Sequence, residues 1–127
     1  MTFILDTHTF LWFINDRLQL SVDAKNLLEA DVDLLLSVTS LWEIAIKVSI
    51  GKLMLPDTYD KFISHQVTLN NIEILPISMA HLAVVAVLPL HHREPFDRLL
   101  IAQAMVEQVS IVSADVRFDS YPVSRMW

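Results

Sequence analysis

Short apolar runs that stop at a polar residue recur along this chain. Phe3-Ile4-Leu5 ends at Asp6, and the polar stretch Asp6-Thr7-His8-Thr9 gives way to Phe10-Leu11-Trp12-Phe13-Ile14. An uncharged run of β-formers reads as a strand buried on both faces, and the longer apolar run after it as a helix. Leu34-Leu35-Leu36-Ser37-Val38 leads in the same way into a helix carrying Glu43, and Val109-Ser110-Ile111-Val112 leads into Ser113-Ala114-Asp115. A third strand is expected over Ile72 to Leu75, stopped by Pro76, and a short edge strand over Tyr121-Pro122-Val123. Strands that alternate with helices predict an α/β protein. If the strands are parallel, the acids that follow them gather on one edge of one sheet, where open α/β sheets place their ligands. A further acid, Asp97, opens the apolar segment before the Ser110–Val112 run.

Punctuation residues refine the helices. Ser21 is placed to cap a helix with Ala24, Leu27 and Leu28 on its inner face. Ser40-Leu41-Trp42-Glu43 has capping-box spacing, and Lys47 stands one turn on from Glu43. From that segment alone a capping role for Glu43 is favoured over a catalytic one. Gly51, the only glycine, is expected to end the helix. Asp57 and Asp60 open another helix, and Ser78 caps one on which His81 reads as a surface or core-edge residue. Pro95 suits a helix start, with Asp97 in the first turn, where a carboxylate interacts favourably with the helix dipole. The segment from Leu99 to Val109 is apolar on nearly every side and therefore deeply buried.

Composition narrows the classes. The chain has 127 residues, one domain's length, with no internal repeat or linker, so a single domain over 1–127 is expected. A hydrophobic content of 54% suits a doubly covered sheet and leaves apolar surface for an oligomer. Cysteine is absent, which removes any disulfide framework. One glycine supports no phosphate-cradling loop, so P-loop and dinucleotide-binding folds are excluded. His91 and His92 stand without cysteine or a helical His pair, which argues against zinc. Asp6 interrupts the first apolar run too early for a signal peptide, and the Ile77–Leu90 stretch falls short of the roughly 20 residues a span needs. A cytoplasmic protein without membrane contact is expected. The net charge of −6 argues against a broad basic footprint for nucleic acid. It leaves open a metal-centred acidic site acting on a phosphodiester, because a bound divalent cation inverts the local charge.

Each of Asp6, Glu43, Asp97 and Asp115 has a structural explanation when taken singly, but together they fall where one sheet edge would collect them. Crowded carboxylates repel unless a cation lies between them, and Mg2+ or Mn2+ takes such oxygen ligands. At this point the sequence resembles the PIN-domain ribonucleases, specifically the VapC-like toxins of bacterial toxin–antitoxin pairs. The resemblance rests on Leu5-Asp6-Thr7-His8, Ser40-Leu41-Trp42-Glu43-Ile44, Gly51-Lys52-Leu53, the stretch from Pro95-Phe96-Asp97-Arg98 to Gln103-Ala104, and Asp115 with Phe118 and Tyr121. It spans nearly the whole chain, and the Pro95–Ala104 stretch is its most specific part. It places catalytic, metal-holding acids at Asp6, Glu43, Asp97 and Asp115, which reverses the capping preference for Glu43. Asp119 is assigned an accessory role. Glu94 stands before the proline where Asp is common.

The resemblance further implies a parallel sheet of about five strands between helices, with the Phe3–Leu5 strand central. It implies a Mg2+- or Mn2+-dependent endoribonuclease that cuts RNA with metal-activated water, pairs with itself as a homodimer, and is blocked by a cognate antitoxin. Two rivals stand beside it. A phospho-acceptor receiver domain matches in length and class, but such domains carry an acid pair after the first strand, where this chain has Thr7-His8. The other is a catalytically silent binding module that keeps the fold.

Overall fold

A computed structural model describes all 127 residues. The elements in chain order are β1 (Thr2–Leu5), α1 (Thr7–Ile14), α2 (Val22–Glu29), β2 (Asp33–Ser37), α3 (Val38–Ser49), α4 (Tyr59–Leu69), β3 (Ile72–Leu75), α5 (Met79–Val87), α6 (Pro95–Glu107), β4 (Ser110–Val112), a 3-10 turn (Val116–Ser120) and β5 (Arg125–Met126). The five strands form one parallel sheet in the order β3-β2-β1-β4-β5. The expected α/β class, parallel pairing and central β1 are all present.

Side-chain alternation along the strands divides the core in two. Phe3, Leu5, Leu34, Leu36 and Val112 point to one face, where Phe10, Ala24, Leu28, Ile44, Phe62 and Ile63 of α1–α4 cover them. Ile4, Leu35 and Ile111 point to the other, against Leu100, Ile101 and Ala104 of α6, with Leu88 and Phe118. From β1 the chain winds outward through β2 to β3 with helices on one face, then returns over the other face to β4 on the far side of β1. The winding therefore reverses between β1 and β4, and a crevice opens outside their carboxyl ends.

A polar seam runs through the second layer. Gln103, fully buried on α6, accepts from the Ser37 hydroxyl through Oε1 and donates from Nε2 to the Pro76 carbonyl at 3.3 Å. His81 lies beside it on α5. Its Nδ1 accepts from the Ser78 amide, so the ring proton sits on Nε2 and is donated to Glu107 at 2.9 Å.

Three expectations are corrected here. His81 is buried at 2% exposure, because it completes the cap of α5 and reaches Glu107. The edge strand is Arg125–Met126 instead of Tyr121–Val123. Tyr121 turns into the core, Pro122 has no N–H to offer a ladder, and pairing begins where Ile111 N donates to Ser124 O. The Ser40–Glu43 capping box does not form. Helix α3 starts earlier, capped by the Ser37 hydroxyl on Thr39 N, so Ser40 lies buried inside the helix with its Oγ unpaired.

Candidate active site

The crevice is floored by Asp6. This residue follows β1 directly and caps α1, with Oδ1 accepting from Thr9 N at 2.8 Å and Oδ2 from the Ser113 hydroxyl. Ser113 Oγ also accepts from Asp115 N at 3.0 Å, so one buried hydroxyl joins the carboxyl ends of β1 and β4. Glu43 enters from the side on α3. Its Oε1 accepts from Thr7 Oγ1 at 2.7 Å and its Oε2 pairs with Lys47 at 3.1 Å. Asp97 descends on the first turn of α6, which Glu94 caps through Asp97 N. Asp115 caps the 3-10 turn and holds Arg117, which donates from Nη2 at 2.7 Å and from Nε at 3.1 Å.

These groups line a cleft of about 130 Å³ formed by Asp6, Thr7, His8, Glu43, Glu94, Asp97, Asp115 and Arg117, with no apolar residue among them. A larger surface recess, about 720 Å³, overlies the single loop Asn15–Gln19. Of these two, only the smaller joins groups from several elements.

The field inside the cleft is negative and poorly compensated. Burial raises the Asp97 carboxyl to about 7, and Glu94, Asp115 and Asp6 push in the same direction against Arg117. Asp115 is held below the usual carboxylate range by its hydrogen bonds from Arg117. His92 Nε2 lies 3.6 Å from Asp97 Oδ2, a distance that would allow an ion pair. Burial and the Arg117 charge lower the imidazole, however, so the contact joins a neutral ring to a carboxyl that retains its proton easily.

All four sequence-assigned acids, Asp6, Glu43, Asp97 and Asp115, reach this one cleft. Asp119 is not among the residues lining it: it clamps Arg125 of β5 through two contacts of 2.9 and 3.0 Å. His91 packs its ring edge-on against Tyr121. Sequence reasoning passed over Ser113, Thr7 and Arg117. The only available signal for Arg117 was a basic residue two positions after an acid expected to end a strand–turn unit.

A divalent cation can be tested against this donor set. The oxygens are all carboxylate, the chemistry that Mg2+ and Mn2+ take, and the raised proton affinity of Asp97 marks charge that a cation would relieve. As oriented, no group of three or more His, Cys, Asp or Glu side chains is arranged to hold a metal ion. The reason is local: Asp115 is turned onto Arg117, Glu43 onto Lys47, and Asp6 onto Ser113 and Thr9. The residue types and their convergence in one cleft fit the ion.

A doubly wound α/β domain with carboxylates converging at its switch point is thus the class this fold and cleft define. Within that class the chain belongs to the PIN domain family, whose sequence profile matches residues 3–123. Among solved structures, VapBC2 from Rickettsia felis bound to a promoter DNA fragment matches with a TM-score of 0.74 at 18% identity, over 99% of this chain and 98% of that one. DNA-bound VapBC from Salmonella typhimurium matches at 0.72 and 14% identity, over 99% and 97%. FitAcB from Neisseria gonorrhoeae matches at 0.69 and 18%, over 98% and 96%. At such identities the likeness is one of fold. No curated protein matches the sequence.

Proposed function

We propose that this PIN domain is a metal-dependent endoribonuclease and the toxin of a toxin–antitoxin pair. The observation that carries the reading is the all-polar cleft in which four carboxylates from separate elements converge and Asp97 is raised to about 7. Asp6, Glu43, Asp97 and Asp115 would hold Mg2+ or Mn2+, which would supply Lewis acidity toward the phosphodiester and an acidified water. The chain's own part is positioning. Ser113 and the Thr9 amide fix Asp6, Thr7 and Lys47 orient Glu43, and the Glu94 cap sets the first turn of α6 that presents Asp97.

RNA as the substrate comes from the motif resemblance. The antitoxin has further support: solved relatives of the same fold include VapBC assemblies and a toxin–antitoxin complex from Klebsiella pneumoniae. An acidic cleft on a chain of net charge −6 suits a basic inhibitory segment. A homodimer is supported by α5, which leaves Met79, Leu82 and Val87 exposed on an otherwise apolar helix. No helix of the fold is long and apolar enough to cross a membrane, in keeping with the cytoplasmic setting such a toxin needs.

Purified protein should cut single-stranded RNA with Mn2+ or Mg2+ and stop with EDTA, and Asp6→Asn, Glu43→Gln, Asp97→Asn and Asp115→Asn should each abolish cutting. Cleavage that persists in EDTA would sink the mechanism. The unclosed ligand shell favours one second reading, a catalytically silent module. Wild type inert on both RNA and DNA, with either metal, would establish that alternative.

A further inference from the structure

Arg117 is the one basic side chain lining the cleft besides His8. Its guanidinium lies 2.7 Å from Asp115 Oδ2 and 3.7 Å from Asp97 Oδ2, so it bridges two acids that arrive on different elements. Of the other cations near the site, Lys47 pairs with Glu43, a cleft acid on a different element from Asp97 and Asp115, and Arg125 pairs with Asp119 outside the cleft. The Arg117 backbone is pinned, because its amide donates to Asp115 Oδ1, but its side chain is 58% exposed. An ion pair that open to water is weak and exchangeable. A planar fork of donors also matches a phosphodiester as well as it matches a carboxylate.

The geometry points to Arg117 as an exchangeable counterion: it occupies Asp115 and neighbours Asp97 while the cleft holds no metal, is displaced from Asp115 when a divalent cation binds, and then pairs with the substrate phosphodiester. This rests on the metal-dependent nuclease reading and deepens it. The same side chain therefore acts against metal binding and in favour of substrate binding, a pair of opposite signs that a merely structural staple of the 3-10 turn does not produce.

The test uses Arg117→Met, which keeps the aliphatic stem, and Arg117→Lys, which keeps the charge without the fork. In substrate-free protein the midpoint of Mn2+ binding is measured for all three chains by calorimetric titration, with melting temperatures recorded alongside. Arg117→Met should lower that midpoint roughly two- to fivefold, the range an exposed ion pair commands. On single-stranded RNA at saturating Mn2+, its kcat/KM should fall on the order of tenfold or more through loss of a charged hydrogen bond to phosphate. Arg117→Lys should keep a midpoint near wild type with intermediate cleavage. An unchanged or raised Mn2+ midpoint in Arg117→Met, beside a responsive wild type, overturns the inference. So does undiminished cleavage by that variant at saturating Mn2+. A wild type whose stability ignores Mn2+ overturns the metal reading of the cleft itself, and the inference with it.

Discussion

Asp97 binds its proton more tightly in the folded protein than out of it, at about 7 against 3.8. Between those values the unfolded chain ionises first, so folding loses stability as pH rises through the interval. The metal-free protein should show this loss from pH 4 to 7, and Asp97→Asn should flatten it and melt at or above wild type at pH 8 in EDTA. Thermal melts along a pH series check it; a variant less stable throughout, with its Mg2+ response intact, would make Asp97 a helix-end residue only. Two signals at this scale were legible and two were not. Asp6 and Asp115 stood out because each ends an uncharged strand run, and both also cap the turns that follow. Arg117 and Ser113 were not, since a lone serine and a lone arginine carry meaning only once β1 and β4 lie side by side.

At the scale of elements, boundaries misled more than element types. Ser40-x-x-Glu43 satisfied the capping-box spacing, yet the cap is Ser37, because β2 hands over to α3 without a loop. Freed from the cap, Glu43 turns toward Thr7 across the cleft. Where a signal had one physical cause it was reliable. Gly51 does follow α3, at φ +75, and a Cβ there would meet no atom within 4 Å. Gly51→Ala should therefore cost only backbone strain, about 1 kcal/mol, with cleavage unchanged. Denaturant midpoints measured beside activity check both halves; a loss of activity without a loss of stability would contradict it.

For the whole molecule, sequence announced a parallel sheet but not its order. Every strand is short, and β1, β2 and β4 are alike in their apolar runs, so nothing in their composition says that β4 lies beside β1. That adjacency creates the switch point and hence the cleft. Exposure likewise emerges only at this scale: α5 is apolar at every position but His81, yet Met79 and Val87 are over four-fifths exposed. If that face pairs two copies of the chain, Leu82→Glu should convert dimers to monomers without unfolding them, since Leu82 is half exposed already. Sedimentation at several concentrations reads the result, and an unchanged dimer would move the interface elsewhere.

The seam at Gln103 has a consequence for accuracy at a distance. A helix greasy on nearly all sides resembles a smooth shaft, which can turn or slip in its bearing at little cost in burial. Gln103, tied to the end of β2 and the Pro76 carbonyl, works as the key that locks the shaft at one angle. The aim of Asp97, earlier on the same shaft, is inherited from that lock. Gln103→Leu should lower the melting point by several degrees but leave the chain folded, because the Ser37 hydroxyl and the Pro76 carbonyl lose their buried partner. Its cleavage rate should fall too, with the α5–α6 amides exchanging faster with solvent deuterium. A variant that keeps full activity would show that packing alone holds the angle.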